Sequence, residues 1–264
     1  MQRRWLVADQ HDARKTVLQT RGLTVTFGGL TAVNGVDLDC RAGELTGLIG
    51  PNGAGKTTFI DAVTGFLPNN AAGQVELDGV DVFGSPPHKL AHRGLTRTWQ
   101  TLELFDDITV RENLTAASEP LGLRELAQDF FRPRKVPDRV EEVIELLDFA
   151  EIADRKPSDL SQGQRKMVGV GRALAAPSTR VLLLDEPAAG LDKAETDWFG
   201  EQLRALVDQG VTMLLIDHDM GLVLSVCDRI HTLVFGSLIA SGTPTEVRND
   251  PDVIKAYLGS GSSS

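Results

Sequence analysis

The feature that most constrains this chain is a glycine-rich turn between a buried strand and a helix. Gly50-Pro51-Asn52-Gly53-Ala54-Gly55-Lys56-Thr57-Thr58 follows Leu45-Thr46-Gly47-Leu48-Ile49, and a helical pattern runs on from about Lys56 to Phe66. The turn matches the phosphate-binding pattern G-x-x-x-x-G-K-[ST] in its expected setting of strand before and helix after. Its glycines let backbone amides curl around a β-phosphate. Lys56 has the reach for the β- and γ-phosphates, and the Thr57 hydroxyl suits Mg2+.

The rest of the chain alternates in the way such a turn needs. From Thr16 to Cys40 apolar residues recur at strand spacing, with a break at Gly28-Gly29, giving two or three strands. Gln74 to Val82 reads as a further strand turning at Asp78-Gly79. Beyond Gln164–Ala175, a helix, strands and helices alternate. They are Val181–Leu184, a helix around Glu195–Asp208, Val211–Ile216, a helix from Met220 to Cys227, then Ile230–Phe235 and Ser237–Ala240. This order predicts an α/β fold with a mostly parallel sheet covered by helices. Between about Thr101 and Asp159 the pattern changes to amphipathic helix, as in Val140, Val143, Ile144, Leu146 and Leu147, which predicts a helical subdomain inserted into the core. Residues 1–16 and the Gly/Ser tail from 260 to 264 are expected to be flexible.

Bulk properties exclude some functions. The chain has 27 Lys and Arg against 37 Asp and Glu, a formal net charge of −10, which argues against nucleic acid as a partner. No apolar run approaches the ~20 residues of a membrane helix, and no signal peptide is visible. Cys40 and Cys227 are too few for a disulfide framework and read as small core residues. His88 and His92 share a helix face but lack a nearby carboxylate or Cys, so they read as surface residues.

A second phosphate-binding element stands far from the first. Leu160-Ser161-Gln162-Gly163-Gln164-Arg165 opens a helix with a Ser hydroxyl and a Gly amide. Two such elements in one chain suggest that the second serves a nucleotide held by another copy. Asp185 ends the apolar strand Val181–Leu184, where its carboxylate can hold a Mg2+ shell. Glu186 is placed to polarise an attacking water. His218 follows the strand Leu214-Leu215-Ile216-Asp217 and is placed to contact a γ-phosphate. Gln100 lies where the helical insertion begins, and a neutral amide there can touch Mg2+ or water.

In this order the glycine-rich loop, Gln100, Leu160–Gln164, Leu183-Leu184-Asp185-Glu186, Gly190-Leu191-Asp192 and His218 resemble the ATPase subunit of ABC transporters, from about residue 17 to residue 259. The resemblance implies a P-loop NTPase core with an N-terminal antiparallel β subdomain and a helical subdomain at about 101–165. It implies ATP and Mg2+ as ligands, with Glu186, His218 and Gln100 as catalytic residues and Thr57, Gln100 and Asp185 around the metal. Phe27 would stack on adenine. Val33, Asn52, Gly53, Ala54, Gly55, Lys56, Thr57 and Thr58 would complete one side of the nucleotide site. Ser161, Gly163, Gln164 and Asp192 would complete the other from a second, identical or homologous ATPase subunit packed head to tail. Further implied partners are two permeases and a substrate-binding protein, with the chain at the cytoplasmic face of the membrane.

Finer strings resemble the branched-chain amino acid importer ATPases: Phe27–Val33, Arg97-Thr98-Trp99-Gln100, Leu104-Phe105, Thr109–Asn113, His218-Asp219-Met220 and Asn249–Gly259. Leu160–Gln164 is also similar to urea-uptake ATPases, and Gly242–Glu246 with Tyr257–Gly259 to a lipopolysaccharide-export ATPase. A soluble ABC ATPase without a transport role is a further alternative. Three positions depart from the family pattern: Gln162 stands for a Gly, Asp217 for a Glu, and Trp99 for a Phe. Gln162 is expected to point outward and leave Ser161 and Gly163 for the phosphate. Trp99, Leu102, Leu104, Phe105 and Phe130-Phe131 are either a docking surface for the permeases or plain core, and Arg132–Lys135 reads as a solvated loop.

Overall fold

The computed structural model describes residues 15–98, 104–118 and 136–259. Gln100, Trp99, Leu102, Phe130-Phe131, Arg132–Lys135 and the two terminal segments expected to be flexible lie outside the described residues, except for residues 15 and 16.

Two sheets share the core. β1 (Thr16–Phe27), β2 (Leu30–Arg41), β4 (Ala71–Leu77) and β5 (Val80–Asp81) form an antiparallel sheet in the order β2-β1-β4-β5. Two-residue turns close its hairpins. Phe27 pairs with Leu30 across Gly28-Gly29, and Leu77 pairs with Val80 across Asp78-Gly79. Asp78 and Gly79 both have positive φ, 52° and 77°, the mirror-image turn whose twist suits a hairpin.

The second sheet runs β10-β9-β3-β8-β7-β6, with β6 (Leu95–Thr98), β7 (Val181–Asp185), β8 (Met213–Ile216), β3 (Leu45–Ile49) and β9 (Arg229–Val234) parallel. β10 (Ser237–Gly242) adds antiparallel at the edge. The central strands read as unbroken apolar runs because both faces are covered. On β7, Val181 and Leu183 enter one core with Leu214 and Ile216 of β8. Leu182 and Leu184 enter the other with Met213 and Leu215. The first core lies towards the antiparallel sheet and α1 (Lys56–Val63). The second carries the helices α3 (Val110–Ser118), α4 (Asp138–Leu146), α5 (Gln162–Ala175), α6 (Lys193–Asp208) and α7 (Met220–Val226). Cys40 belongs to the first core and Cys227 to the second, so the sheet separates them. Burial pushes the Cys40 thiol up to about 12, which makes it an inert apolar residue.

Between β6 and α5 the described residues form α3, α4 and a short 3₁₀ turn at Pro157–Asp159, joined by turns and irregular segments. Four elements have weaker sequence signals. β6 holds one apolar residue, Leu95, in four. α2 (Pro87–His92) is six residues long and leaves His88 and His92 exposed. Two C-terminal helices, α8 (Pro244–Asn249) and α9 (Pro251–Gly259), follow β10. Helix starts also move by a turn or less from the periodicity. α5 begins at Gln162 because Ser161 caps it, and α6 begins at Lys193 because Asp192 does.

Candidate nucleotide-binding and catalytic site

Parallel neighbours end in register, so the loops after them meet at one edge of the sheet. Leu48 pairs with Ile216, Ile216 with Asp185, and Leu184 with Thr98. The glycine-rich loop after β3, Asp217-His218 after β8 and Asp185-Glu186 after β7 therefore lie side by side, with strands ~4.8 Å apart. The chain enters the insertion from the adjacent end of β6. Carboxyl edges of open parallel sheets are where such folds bind ligands.

The loop's shape depends on glycine at two places. Gly50 has φ 154° and Gly55 φ 104°, and a Cβ on them would stand 2.1 Å from the Leu233 carbonyl and 2.4 Å from the Ala32 carbonyl. No other residue fits either position. The Gly236 amide bonds the Ala54 carbonyl at 2.9 Å and ties the loop to the β9–β10 turn. Lys56 is buried, and its Nζ donates to the carbonyls of Gly50 (2.6 Å) and Pro51 (3.1 Å). Burial lowers its pKa, while Glu186, Asp217 and Asp185 pull the other way. Those three carboxylates give the edge a net negative field around one ammonium. Asn52, Gly53 and Thr57 are exposed, and Ala54 is buried.

Asp185 is buried at the end of β7 and accepts a 2.7 Å bond from Arg97 Nη2. Glu186 adopts φ 45°, a left-handed backbone rare for a side chain of its size. Its amide, bonded to the Ile216 carbonyl at 2.7 Å, holds it there. His218 is exposed, with Nδ1 4.0 Å from Glu186 Oε1 and 3.6 Å from Asp217 Oδ1. Asp217 itself is buried. Its Oδ1 accepts the amides of His218 and Asp219, and Oδ2 accepts that of Ala188 at 3.4 Å. The shorter acid at position 217 thus sets the backbone that carries His218.

The second element is arranged differently. Ser161 and Gln162 are exposed at the start of α5. Ser161 Oγ accepts the Gln164 amide at 3.2 Å, and Gln164 Oε1 accepts the Ser161 amide at 3.0 Å, a reciprocal cap. Gly163 is buried. Its amide donates to Glu195 Oε1 at 3.1 Å, and a Cβ on it would stand 3.4 Å from the Trp198 ring. The Gln162 amide group lies over Gly190. Asp192 is exposed and caps α6 by accepting the Glu195 amide at 2.9 Å.

Other expected contacts fall at the rim. Phe27 ends β1 with its side chain partly exposed, whereas the Val33 side chain is in the core. Leu104 packs on the second core. Phe105 stays half exposed, with the Arg172 guanidinium 5.2 Å from its ring centroid. The buried Asn113 brackets the Phe105 backbone, accepting its amide and donating to its carbonyl, both at 3.0 Å. Residue patterns alone single out neither Asn113, Arg97 nor Glu195 for these roles.

Residues 33–189 match the ABC transporter family model, and residues 237–262 match the model of the branched-chain amino acid ATP-binding cassette transporter. The chain is 41% identical over 257 residues to the high-affinity branched-chain amino acid transport ATP-binding protein BraF of Pseudomonas aeruginosa, covering 93% of this chain and 98% of that protein. It is 38% identical over 251 residues to LivG of Escherichia coli K12, covering 92% and 98%. An ATP-binding cassette of an ABC transporter, solved in its ADP conformation, superposes with a TM-score of 0.79 at 32% identity, covering 92% of this chain and 99% of that one. A nucleotide-free cassette gives 0.77 at the same identity, covering 92% and 98%. The chain belongs to the ATP-binding cassette ATPases of ABC transporters.

Proposed function

We propose that this protein is the ATP-hydrolysing subunit of an importer for branched-chain amino acids. It would act at the cytoplasmic face of the membrane with two permeases, a second ATPase subunit and a substrate-binding protein. The observation that carries the ATPase reading is the convergence of Lys56, Asp185, Glu186 and His218 at one sheet edge. The substrate class is supported by the relatives' names and by the match over residues 237–262. Among the described residues no helix is long and apolar enough to cross a membrane.

In this reading the triphosphate enters the glycine-rich loop and offers Lys56 charge-assisted bonds stronger than its two carbonyl contacts. Mg2+ fits the donors present, because Asp185 and Thr57 supply the hard oxygens it prefers. Bound there, the ion would neutralise charge on the phosphates. Glu186 orients and deprotonates the attacking water, and His218 beside it keeps the carboxylate aligned. Gln100 is assigned to the same site through the family pattern. Ser161 and its neighbours close over the nucleotide of a second subunit, so ATP binding is read out as dimer closure.

Glu186→Gln tests this directly. The variant should bind ATP, form an ATP-dependent dimer, and hydrolyse ~10²–10⁴-fold more slowly. Unchanged steady-state turnover would remove Glu186 as the base. For the substrate, vesicles containing the permeases and binding protein should take up leucine or isoleucine on ATP addition. Uptake of urea instead would overturn the substrate class and leave the ATPase reading intact.

A further inference from the structure

We propose that Arg97 is a positioning residue that fixes the two protein donors for Mg2+ relative to each other. The inference rests on the reading of Asp185 and Thr57 as those donors. Arg97 sits on β6 opposite Leu183 of β7, with a side chain only 6% exposed. Its guanidinium forks between two carboxylates. Nη2 donates to Asp185 Oδ2 at 2.7 Å and Nη1 to Asp61 Oδ1 at 2.6 Å, with Thr64 Oγ1 at 3.4 Å from Nη1.

The position of Asp61 gives the fork its consequence. Asp61 lies on α1, four residues after Thr57, so the two share one face of the helix. The chain of contacts therefore runs from Thr57 along α1 to Asp61, across Arg97, and on to Asp185. Each end is a proposed metal donor, on a different element. An unbraced α1 could shift along the sheet edge by fractions of an ångström, and an ion demanding near-ideal octahedral distances is sensitive to such shifts. Arg97 also balances charge, since one guanidinium against two carboxylates leaves a net negative pair for a cation. Only a planar fork spans both acids, and a lysine supplies the charge without the geometry.

The test is titration of Mg2+ into chain saturated with a non-hydrolysable ATP analogue, followed by calorimetry, with analogue affinity in EDTA measured separately. Arg97→Ala should weaken Mg2+ by ~10–100-fold, the range for residues that orient metal ligands, and leave the analogue affinity in EDTA unchanged. Arg97→Lys should recover part of the loss. Asp61→Asn removes a group with no proposed contact to metal or nucleotide, and it should still weaken Mg2+ by severalfold. If Arg97→Ala does not fold, Asp61→Asn and Arg97→Lys carry the test. Wild-type Mg2+ affinity in both would overturn the proposal, as would tighter Mg2+ binding in Arg97→Ala. Asp185→Asn separates the two readings. If it leaves Mg2+ affinity unchanged, the donor assignment fails. If it abolishes Mg2+ binding while the Arg97 and Asp61 variants bind normally, the positioning role alone fails.

Discussion

Helices α1 and α5 both begin at a sequence read as phosphate-binding, but their first turns are satisfied differently. At α1 the N-cap is Gly55, left-handed and without a side-chain cap. At α5 the cap is Ser161, closed reciprocally by Gln164, with the Gly163 amide held by Glu195. The first four amides of a helix need partners. At α1 no side chain caps the first turn, so among the described residues a phosphate entering the loop meets no capping side chain to displace, only the two Lys56 bonds to carbonyls. At α5 an incoming phosphate must compete with the chain's own acceptors. Under the proposed function, the difference predicts an order of events: the nucleotide would seat first in the loop of one subunit, and the second subunit's Ser161 would engage only when brought close.

The largest effects should come from breaking each half separately. Lys56→Ala should abolish detectable turnover and weaken ATP binding to the isolated chain. Ser161→Arg should abolish turnover to a similar degree, by at least ~10²-fold as for loss of a key oxyanion donor, yet leave ATP binding to the isolated chain near wild type. Calorimetry on dilute protein distinguishes the two. Mixing the variants should restore part of the activity, because one composite site then carries wild-type Lys56 and Ser161. Equal loss of monomer binding in both variants would contradict the order of events above.

Glycines sharpen the contrast in stability. Gly55→Ala must accept a positive φ and a Cβ 2.4 Å from the Ala32 carbonyl, and should cost several kcal/mol, more than the ~1–3 kcal/mol of backbone strain alone. Gly163→Ala places its Cβ 3.4 Å from the Trp198 ring on a helical residue outside the left-handed region. Helix propensity then favours the change by up to ~1 kcal/mol. Urea denaturation should show a large drop for the first and little or no drop for the second.

How far these two regions could be read from residues alone follows from the same physics. The loop, Asp185, Glu186 and His218 were legible because each ends a strand buried on both faces, and uninterrupted apolar runs mark such strands. The second element was legible as a Ser-Gly helix start, but the capture of the Gly163 amide by Glu195 was not, since those residues are 32 apart and meet only through packing. β6 escaped because Thr96, Arg97 and Thr98 carry no apolar period; its place comes from pairing with β7 and from buried ion pairs. α8 did leave a signal, the capping box Thr243-Pro244-Thr245-Glu246, which the structure forms as Thr243 and Glu246 bonding reciprocally.

Acid should act on the loop's side of the comparison. His231 pairs with Leu48 in the strand beside the loop, and burial pushes its pKa down to about 4 from 6.5. Below about 6.5 the unfolded chain takes up a proton that the folded chain refuses. Its contribution to stability is therefore complete above that pH and is lost as pH falls towards 4, at up to ~1.4 kcal/mol per pH unit. Wild-type stability from urea melts should fall over this window. His231→Leu should flatten that part of the slope, and an unchanged slope would remove His231 as its source.

The smallest effect should come from loosening α5 rather than breaking it. Glu195→Ala removes the acceptor that holds the Gly163 amide at 3.1 Å and deletes a negative charge beside a helix start. Losing a capping acceptor costs ~1 kcal/mol, so the melting point should drop by a few degrees. The same change frees one amide and lowers the repulsion met by an incoming phosphate. In the Glu186→Gln background, where ATP-dependent dimers are expected, association should tighten by severalfold, about 1 kcal/mol in the opposite sense. Sedimentation of the double variant against Glu186→Gln alone measures it. Weaker association would mean that Glu195 holds α5 in its phosphate-ready shape and does not compete for the amide. The self-capped start would then be preorganisation, and the two helix starts would differ in stiffness and no longer in availability.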